Sequence, residues 1–180
     1  MTTHTSEPTT GPDTSITPGT PTLGTLAPGA AVPGAPAVSG TSALLFAQVQ
    51  QFYARQSALL RESRVSEYAA TFTEDGVLTC VPAGPRARGR AAVAAALLAV
   101  HERRTGGEPV RRRYWQDALE VSELPGGELQ ARYGMLVTEV RPWQPAAVVG
   151  GSAAVEDLLV LDGGELRVRH RRITPDHVSF

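Results

Sequence analysis

One carboxylate is predicted to lie at the mouth of an apolar pocket, where it could act as a general base. Asp75 lies near the end of the segment YAATFTEDG, just before the apolar run VLTCV. Beside an apolar pocket a carboxyl group has its pKa raised, which suits it to take a proton from a carbon next to a carbonyl group. Local chemistry explains the residue equally well, because Asp commonly hydrogen-bonds backbone amides in a turn, here before Gly76. Asp75 is therefore a candidate base, with the turn as the alternative.

Two tyrosines are candidate hydrogen-bond donors to a substrate carbonyl group. Tyr53 lies on the apolar stripe of the first predicted helix, together with the candidate substrate-binding residue Gln56. Tyr114 lies in a predicted strand whose alternation puts Arg112, Tyr114 and Gln116 on one face. With an ordinary pKa near about 10, a tyrosine donates a hydrogen bond at neutral pH but cannot accept a proton. Either tyrosine can alternatively pack and hydrogen-bond within the core.

His170 is a candidate second proton carrier near the end of the last predicted strand. It alternates with Leu166 and Val168, which predicts that all three face the core. The opposite face would carry three arginines: Arg167, Arg169 and Arg171. A histidine on an apolar face more often completes the hydrogen bonding of a core than performs catalysis, and this alternative stays open.

Three further residues are predicted to contact a ligand. Trp115 can stack on a ring system or serve a dimer interface. Glu156 and Asp157 are adjacent in a strand and therefore face opposite sides. One of them enters the pocket or its rim, while the other suits an ion pair with Arg132 or with an arginine of the last strand. We predict that Arg132 and Glu156, like Trp115, are substrate-binding residues.

Composition excludes several classes of protein. The net charge is −1 and all 17 basic residues are arginine, which gives no electrostatic case for nucleic-acid binding. The single cysteine, Cys80, excludes an internal disulfide and suits a reducing cytoplasm. The histidines lack metal-binding spacing, and no glycine-rich phosphate loop occurs. Without a signal peptide or a membrane span, the chain is predicted to be cytoplasmic and to use neither metal nor other cofactor.

Two regions differ in composition. Residues 1–40 are rich in Thr, Pro, Gly and Ala and are predicted to be a disordered tail, and residues 41–176 a single domain. Within the domain, three helices are predicted, at about 42–62, 66–72 and 91–104. Strands are predicted at 77–81, 110–121, 129–141, 147–161 and 166–174, with a loop at 82–90. This order predicts an α+β fold in which the helices cover one concave face of a mixed, mainly antiparallel sheet.

The segments QQFYARQ, YAATFTEDG, RGR before the third helix and DGGELRVRHRRIT together resemble the SnoaL-like members of the NTF2-like superfamily. The resemblance spans about Ser42 to Asp176. It is strongest to the small NTF2-like accessory proteins of actinomycete aromatic polyketide pathways of the actinorhodin type. It implies a curved sheet wrapped around an apolar, conical cavity, usually in a homodimer. Relatives include cyclases, dehydratases, isomerases and members without catalysis.

The resemblance implies a polyketide-tailoring protein that binds an aromatic polyketide intermediate in the cone. It would catalyse cofactor-free cyclisation, dehydration or isomerisation, with Asp75 as the base, Tyr53 and Tyr114 as donors and His170 as a second proton carrier. The alternative is a non-catalytic binding or accessory subunit that supports a partner oxygenase or reductase. Similar proteins tend to carry a histidine where this chain has Tyr114, which favours the alternative.

Overall fold

The helices precede the long strands, as predicted. The computed structural model describes residues 40–82, 84 and 86–176, so the predicted tail lies outside the described residues apart from Gly40. The helices are α1 (Gly40–Arg61), α2 (Val65–Ala70) and α3 (Arg90–Thr105). The strands are β1 (Phe72–Cys80), β2 (Arg86–Arg88), β3 (Arg111–Glu123), β4 (Leu129–Val140), β5 (Val148–Asp162) and β6 (Glu165–Pro175). The short strand β2 falls in the segment predicted as a loop.

The strands form one six-stranded sheet in the order β2-β1-β6-β5-β4-β3. Strands β1 and β6 pair in parallel, and the other neighbouring pairs of this sheet are antiparallel. The connections from β3 through β6 are too short for the crossover that parallel neighbours need. In the turn between β5 and β6, Gly163 and Gly164 have φ values of 62° and 83°, a conformation that favours glycine. The predicted α+β class with a mixed, mainly antiparallel sheet is confirmed.

The hydrophobic core lies between the helices and one face of the sheet. Apolar residues recur every three or four positions along α1, so one stripe of that helix faces inward. Val49 and Tyr53 of this stripe have no exposed surface, and neither has Val93 of α3. Leu159 and Val168 belong to the same cluster from the side of the sheet. Within the described chain, none of the helices combines the length and the apolar character needed to cross a bilayer.

Residues 73–76, predicted as a turn, lie inside strand β1, and so does Phe72, which was predicted to end the second helix. Phe72 pairs with Val168 of β6 and Val77 pairs with His170, so five steps along β1 (72 to 77) match two along β6 (168 to 170). The intervening residues of β1 therefore bulge out of the regular pairing. This irregularity places Asp75 on the exposed side of the strand.

A β-bulge in β6 reverses the predicted direction of the side chains beyond it. Val168 and His170 pair with adjacent residues of β5, which leaves Arg169 without a partner position. One extra residue in a strand moves every later side chain to the other face. Val168 is buried, but beyond the bulge Arg171 is buried and His170 is exposed, so the predicted faces are wrong for both.

Candidate functional site

A mainly apolar cavity of about 220 Å³ lies between the helices and the concave face of the sheet. Its apolar walls come from both layers and include Leu60, Leu97, Val100, Met135, Val155 and Ile173. Polar side chains interrupt this lining, among them Gln56, Tyr68, Tyr114, Arg104, Arg112 and Arg171. Among the described residues, no Asp, Glu or His side chain lines the cavity. A cavity with apolar walls and a few polar groups is the usual form of a small-molecule site.

A buried ion pair closes one wall of the cavity. Asp157 of β5 and Arg171 of β6 are 2% and 3% exposed, and they face each other across neighbouring strands. Arg171 Nε donates to Asp157 Oδ1 at 2.8 Å, and Arg171 Nη2 donates to Oδ2, so the contact is bidentate. Burial alone would lower the pKa of Arg171, but Asp157 raises it well above its usual value. The guanidinium group therefore stays charged.

Polar groups from the helices satisfy the rest of this ion pair. Tyr53 donates from its hydroxyl to Asp157 Oδ2 at 2.8 Å. Gln56 Oε1 accepts from Arg171 Nη2 at 2.8 Å, and the Tyr68 hydroxyl accepts from Arg171 Nη1. A buried charge is tolerated when it is paired and hydrogen-bonded, and each of the three nitrogen atoms of Arg171 has a partner. The network ties the helices to β5 and β6.

A second buried ion pair joins β3 to β4 beside the cavity. Arg112 Nε of β3 donates to Glu139 Oε1 of β4 at 2.8 Å, and the two side chains are 9% and 11% exposed. Arg112 Nη1 lies 3.2 Å from Nδ1 of His101 on α3. Arg112 Nη2 is buried without a hydrogen-bond partner in the part of the chain that the structure describes. One donor of a cavity-lining guanidinium group is thus left unsatisfied.

Gly150 of β5 makes room for this pair. A Cβ atom at Gly150 would stand 2.6 Å from Cδ of Glu139, so a side chain there would push Glu139 away from Arg112. The carbonyl oxygen of Gly150 accepts a hydrogen bond from Arg104 Nη1 at 3.3 Å. Arg104 and Glu139, the partner of Arg112, therefore both lie against Gly150 of β5, although they come from different elements.

The phenol groups at the cavity hold their protons at neutral pH. Burial raises the pKa of Tyr114, and the charge of Arg112 opposes this rise. Burial also raises the pKa of Tyr68, and it raises that of Tyr133 well above the usual value. The pKa of the Cys80 thiol, another lining group, is raised by burial too. These groups are suited to donate hydrogen bonds, not to act as bases or nucleophiles.

Two of the predicted site residues, Gln56 and Tyr114, line the cavity. Gln56 is 2% exposed and donates from Nε2 to Thr71 Oγ1 at 2.6 Å, so its amide is held in place. The predicted alternation of β3 is confirmed, because Arg112, Tyr114 and Gln116 all line the cavity. Their roles toward a ligand stay predictions.

The placement of Trp115 at the cavity is wrong. As the neighbour of Tyr114 in an extended strand, Trp115 points to the other face of the sheet and is 51% exposed. Its indole Nε1 donates to Thr138 Oγ1 of β4 at 3.1 Å. The indole ring therefore covers the outer surface and does not reach the cavity.

The placement of Asp75 at the mouth of the cavity is also wrong. Its side chain is 70% exposed and lies 3.7 Å from Arg88 of β2. Asp75 Oδ1 accepts a hydrogen bond from Thr73 Oγ1 at 3.1 Å. Because the irregular pairing of β1 turns this residue outward, the cavity holds no carboxylate from the FTEDG segment.

Tyr53 is buried but does not line the cavity. Its ring packs against Phe52 and Tyr133, with ring centroids 5.5 and 4.7 Å away. Its hydroxyl donates a hydrogen bond to Asp157. Burial is the main cause that raises the pKa of Tyr53 far above its usual value, and the charge of Asp157 is the second. Direct donation to a substrate is therefore contradicted, and Tyr53 instead positions the Asp157–Arg171 pair.

The placement of Arg132 and Glu156 at the main cavity is wrong as well. Arg132 Nε and Glu156 Oε1 lie 3.3 Å apart on neighbouring strands, with the side chains 55% and 43% exposed. Both belong to the outer face, and neither lines the cavity. The prediction that Glu156 and Asp157 face opposite sides is confirmed, but Asp157 is the one that faces inward. His170, exposed beyond the bulge, does not line the cavity either.

Several residues of the site were not predicted from the sequence. Asp157 had a signal, because Val155 and Leu159 share its face and are both apolar. The sequence contains no signal that Arg171 is buried, because a one-residue bulge cannot be recognised in a run of alternating arginines. Tyr68 lies on the short helix α2, whose six residues are too few to define a face. Within the described ranges, no group of three or more His, Cys, Asp or Glu residues could hold a metal ion.

An α+β cone whose cavity is bounded by helices on one side and a curved sheet on the other defines a ligand-binding fold of the NTF2 type. The family model of the SnoaL-like domain matches residues 42–172. The chain belongs to the SnoaL-like family of the NTF2-like superfamily. No match is found among curated protein sequences.

Solved structures of actinomycete proteins are similar to this chain. ActVI-ORFA from Streptomyces coelicolor is 37% identical, with a TM-score of 0.69 over 74% of this chain and 98% of that one. Aln2 from another Streptomyces strain is 31% identical, with a TM-score of 0.67 over 74% and 91%. A Catenulispora acidiphila protein in complex with S-DNPA is 38% identical, with a TM-score of 0.66 over 74% and 95%.

Proposed function

We propose that this chain is a polyketide-tailoring protein that binds an aromatic polyketide intermediate in its cavity. In this proposal it promotes a cofactor-free cyclisation, dehydration or isomerisation of that intermediate. The observation that carries the proposal is the convergence of Tyr114, Arg112 and Gln56 on one mainly apolar cavity. The similarity to ActVI-ORFA, a protein of the actinorhodin pathway, supports the substrate class, and the S-DNPA complex of another relative supports small-molecule binding.

The size and lining of the cavity support a small, flat ligand. An apolar cavity of about 150 Å³ is known to hold benzene. The cavity of about 220 Å³ is larger and also open to solvent, which suits a ligand of two or three fused rings. The apolar walls would contact the ring faces, and the polar groups would meet oxygen atoms at the ring edge.

The chemistry available at the cavity is hydrogen-bond donation and positive charge. Enolisation or loss of water places negative charge on a substrate oxygen, and donors aimed at that oxygen stabilise it. Tyr114 holds its proton and lies next to Arg112, so the pair can donate to a developing enolate. Arg112 also keeps the phenol a better acid than burial alone would allow.

The alternative is a non-catalytic subunit that binds an intermediate or supports a partner oxygenase or reductase. One observation favours it: no carboxylate or imidazole group among the described residues lines the cavity, so the lining offers no side chain that accepts a proton at neutral pH. A catalysed proton abstraction would then need water or the substrate's own groups as the base.

Turnover by purified variants separates these functions. We expect Tyr114→Phe to slow conversion of an aromatic polyketide intermediate by about 10²-fold, since general acid catalysis contributes about 10²–10⁴ and the neighbouring arginine remains. Asp75→Asn is the control, because Asp75 is exposed outside the cavity, and it should leave the rate unchanged. Rates are measured by chromatography of the product formed without any partner protein. If the wild type retains the intermediate without converting it, the non-catalytic alternative is correct.

A further inference from the structure

We infer that the outer face of the sheet, on the side away from the cavity, binds a second copy of this chain. A row of four charged residues that crosses four strands of this face carries the inference. The row, called the charge ladder below, consists of Glu120, Arg132, Glu156 and Arg172. The inference goes beyond the proposed function, because the ladder belongs to a surface that the cavity does not use.

The members of the charge ladder are direct neighbours on adjacent strands. Glu120 of β3 is paired with Arg132 of β4. Arg132 is in turn paired with Glu156 of β5, and Glu156 is paired with Arg172 of β6. Residues that lie directly opposite each other on neighbouring strands share a face of the sheet. The sign of the charge therefore alternates from one edge of the row to the other.

The two ends of the charge ladder have no ionic partner within the part of the chain that the structure describes. In the middle of the ladder, Arg132 Nε lies 3.3 Å from Glu156 Oε1. At the ends, Glu120 and Arg172 are both exposed, and neither forms an ion pair with another described residue. The ladder thus presents a free negative charge on β3 and a free positive charge on β6.

One two-fold arrangement of two copies pairs every charge of the ladder. If the axis runs along the strands between β4 and β5, the second ladder meets the first in reverse order. Glu120 then faces Arg172 of the partner subunit, and Arg132 faces Glu156 of the partner subunit. An axis along the ladder would instead set each charge against its own copy, which is repulsive. Charge complementarity therefore selects the axis along the strands.

The surface beside the charge ladder suits close contact between two sheets. An open groove next to the ladder contains small residues, namely Ala118, Gly134, Ala154 and Thr174. Further along the same face, Trp115 and Leu136 are paired across β3 and β4 and are 51% and 38% exposed. Exposed ion pairs contribute little to affinity, so the apolar side chains supply binding energy and the ladder fixes the orientation.

Charge reversal at either end of the ladder tests this interface by analytical ultracentrifugation. The wild type should be a dimer at concentrations on the order of 10 μM. Glu120→Arg and Arg172→Glu each create two contacts between like charges in the symmetric dimer. Each variant alone should therefore raise the dissociation constant of the dimer by about tenfold or more. Glu102→Arg is the matched control, because it makes the same charge change at an exposed position of α3 and should dimerise like the wild type.

A mixture of the two variants tests the direction of the two-fold axis. In the mixed dimer, one pair of ladder ends has exchanged its charges and the other pair keeps its natural charges. Both pairs of ends are then attractive, so Glu120→Arg mixed with Arg172→Glu should dimerise within a few-fold of the wild type. Circular dichroism should show that both variants are folded, since both side chains are exposed.

Three results would overturn the inference. The first is a wild type that is monomeric at these concentrations. The second is a dimer that neither substitution at the ends of the ladder weakens. The third is a dimer that both substitutions weaken and that mixing the two variants does not restore, which would contradict the axis along the strands. None of these results bears on ligand binding in the cavity.

Discussion

Replacing Asp157 by asparagine is expected to lower the free energy of unfolding by about 3–5 kcal/mol. The substitution removes the negative charge that neutralises Arg171. The guanidinium group of Arg171 is buried and, because its pKa is raised, stays charged. The hydrogen bond from the Tyr53 hydroxyl is weakened at the same time. Breaking one partner of a buried pair is costly because the other charge stays in a medium that solvates it poorly. Urea denaturation followed by circular dichroism measures the effect.

Glu156→Gln is the matched control for this prediction. Glu156 is the neighbour of Asp157 in β5, but its ion pair with Arg132 is exposed to solvent. Exposed pairs contribute little, so the expected change is within about 1 kcal/mol. If Asp157→Asn is no more destabilising than Glu156→Gln, the buried network does not hold the helices to the sheet.

Raising the pH above about 10 is expected to destabilise the fold steeply through its tyrosines. The chain has 4 tyrosines, and burial raises the pKa of Tyr53, Tyr68, Tyr114 and Tyr133. A group whose pKa is raised in the folded state contributes its full stability below the pKa of the unfolded state. That stability is lost as the pH rises from there toward the folded pKa. Each such tyrosine then removes about 1.4 kcal/mol per pH unit.

Ultraviolet titration of the phenolate absorbance tests this expectation. The folded protein should show little phenolate at about pH 10, whereas the protein unfolded in urea should be half ionised there. Urea denaturation should give similar free energies of unfolding below about pH 9 and a decline above about pH 10. The Tyr133→Phe variant should reduce the slope of this decline. A folded protein that titrates like the unfolded one would show that the tyrosines are not shielded from solvent.

Local periodicity was sufficient to predict one face of the site. In β3 the pairing is regular from Arg111 to Asp117, so simple alternation puts Arg112 and Tyr114 on one side and Trp115 on the other. Which face of β3 lines the cavity depends on how α3 and the rest of the sheet pack, and alternation alone does not show it. Alternation therefore identified the set of residues that share a face, whereas the placement of Trp115 at the cavity was wrong.

Irregular pairing explains the errors at Asp75 and in β6. In β6 the backbone of Arg169 has no partner position in β5, and this bulge exchanges the faces of His170 and Arg171. A run of alternating arginines contains no feature that marks the position of the bulge. In β1 several residues bulge between Phe72 and Val77, which turns Asp75 outward. Both irregularities depend on pairing between distant strands. The choice of Glu156 over Asp157 as a ligand contact is a different kind of error, because regular alternation with Val155 and Leu159 already places Asp157 on the inner face.

Calorimetric titration of two variants of α3 with 2-naphthylacetic acid tests most directly that the cavity is the ligand site. Ala96 lines the cavity, whereas Ala99 is exposed on the same helix and does not. A phenylalanine at position 96 would fill the space that a ring system needs, and the same residue at position 99 would point into solvent. We predict that Ala96→Phe abolishes binding of the acid and that Ala99→Phe binds it like the wild type. Equal binding by both variants would contradict the assignment of the cavity as the ligand site.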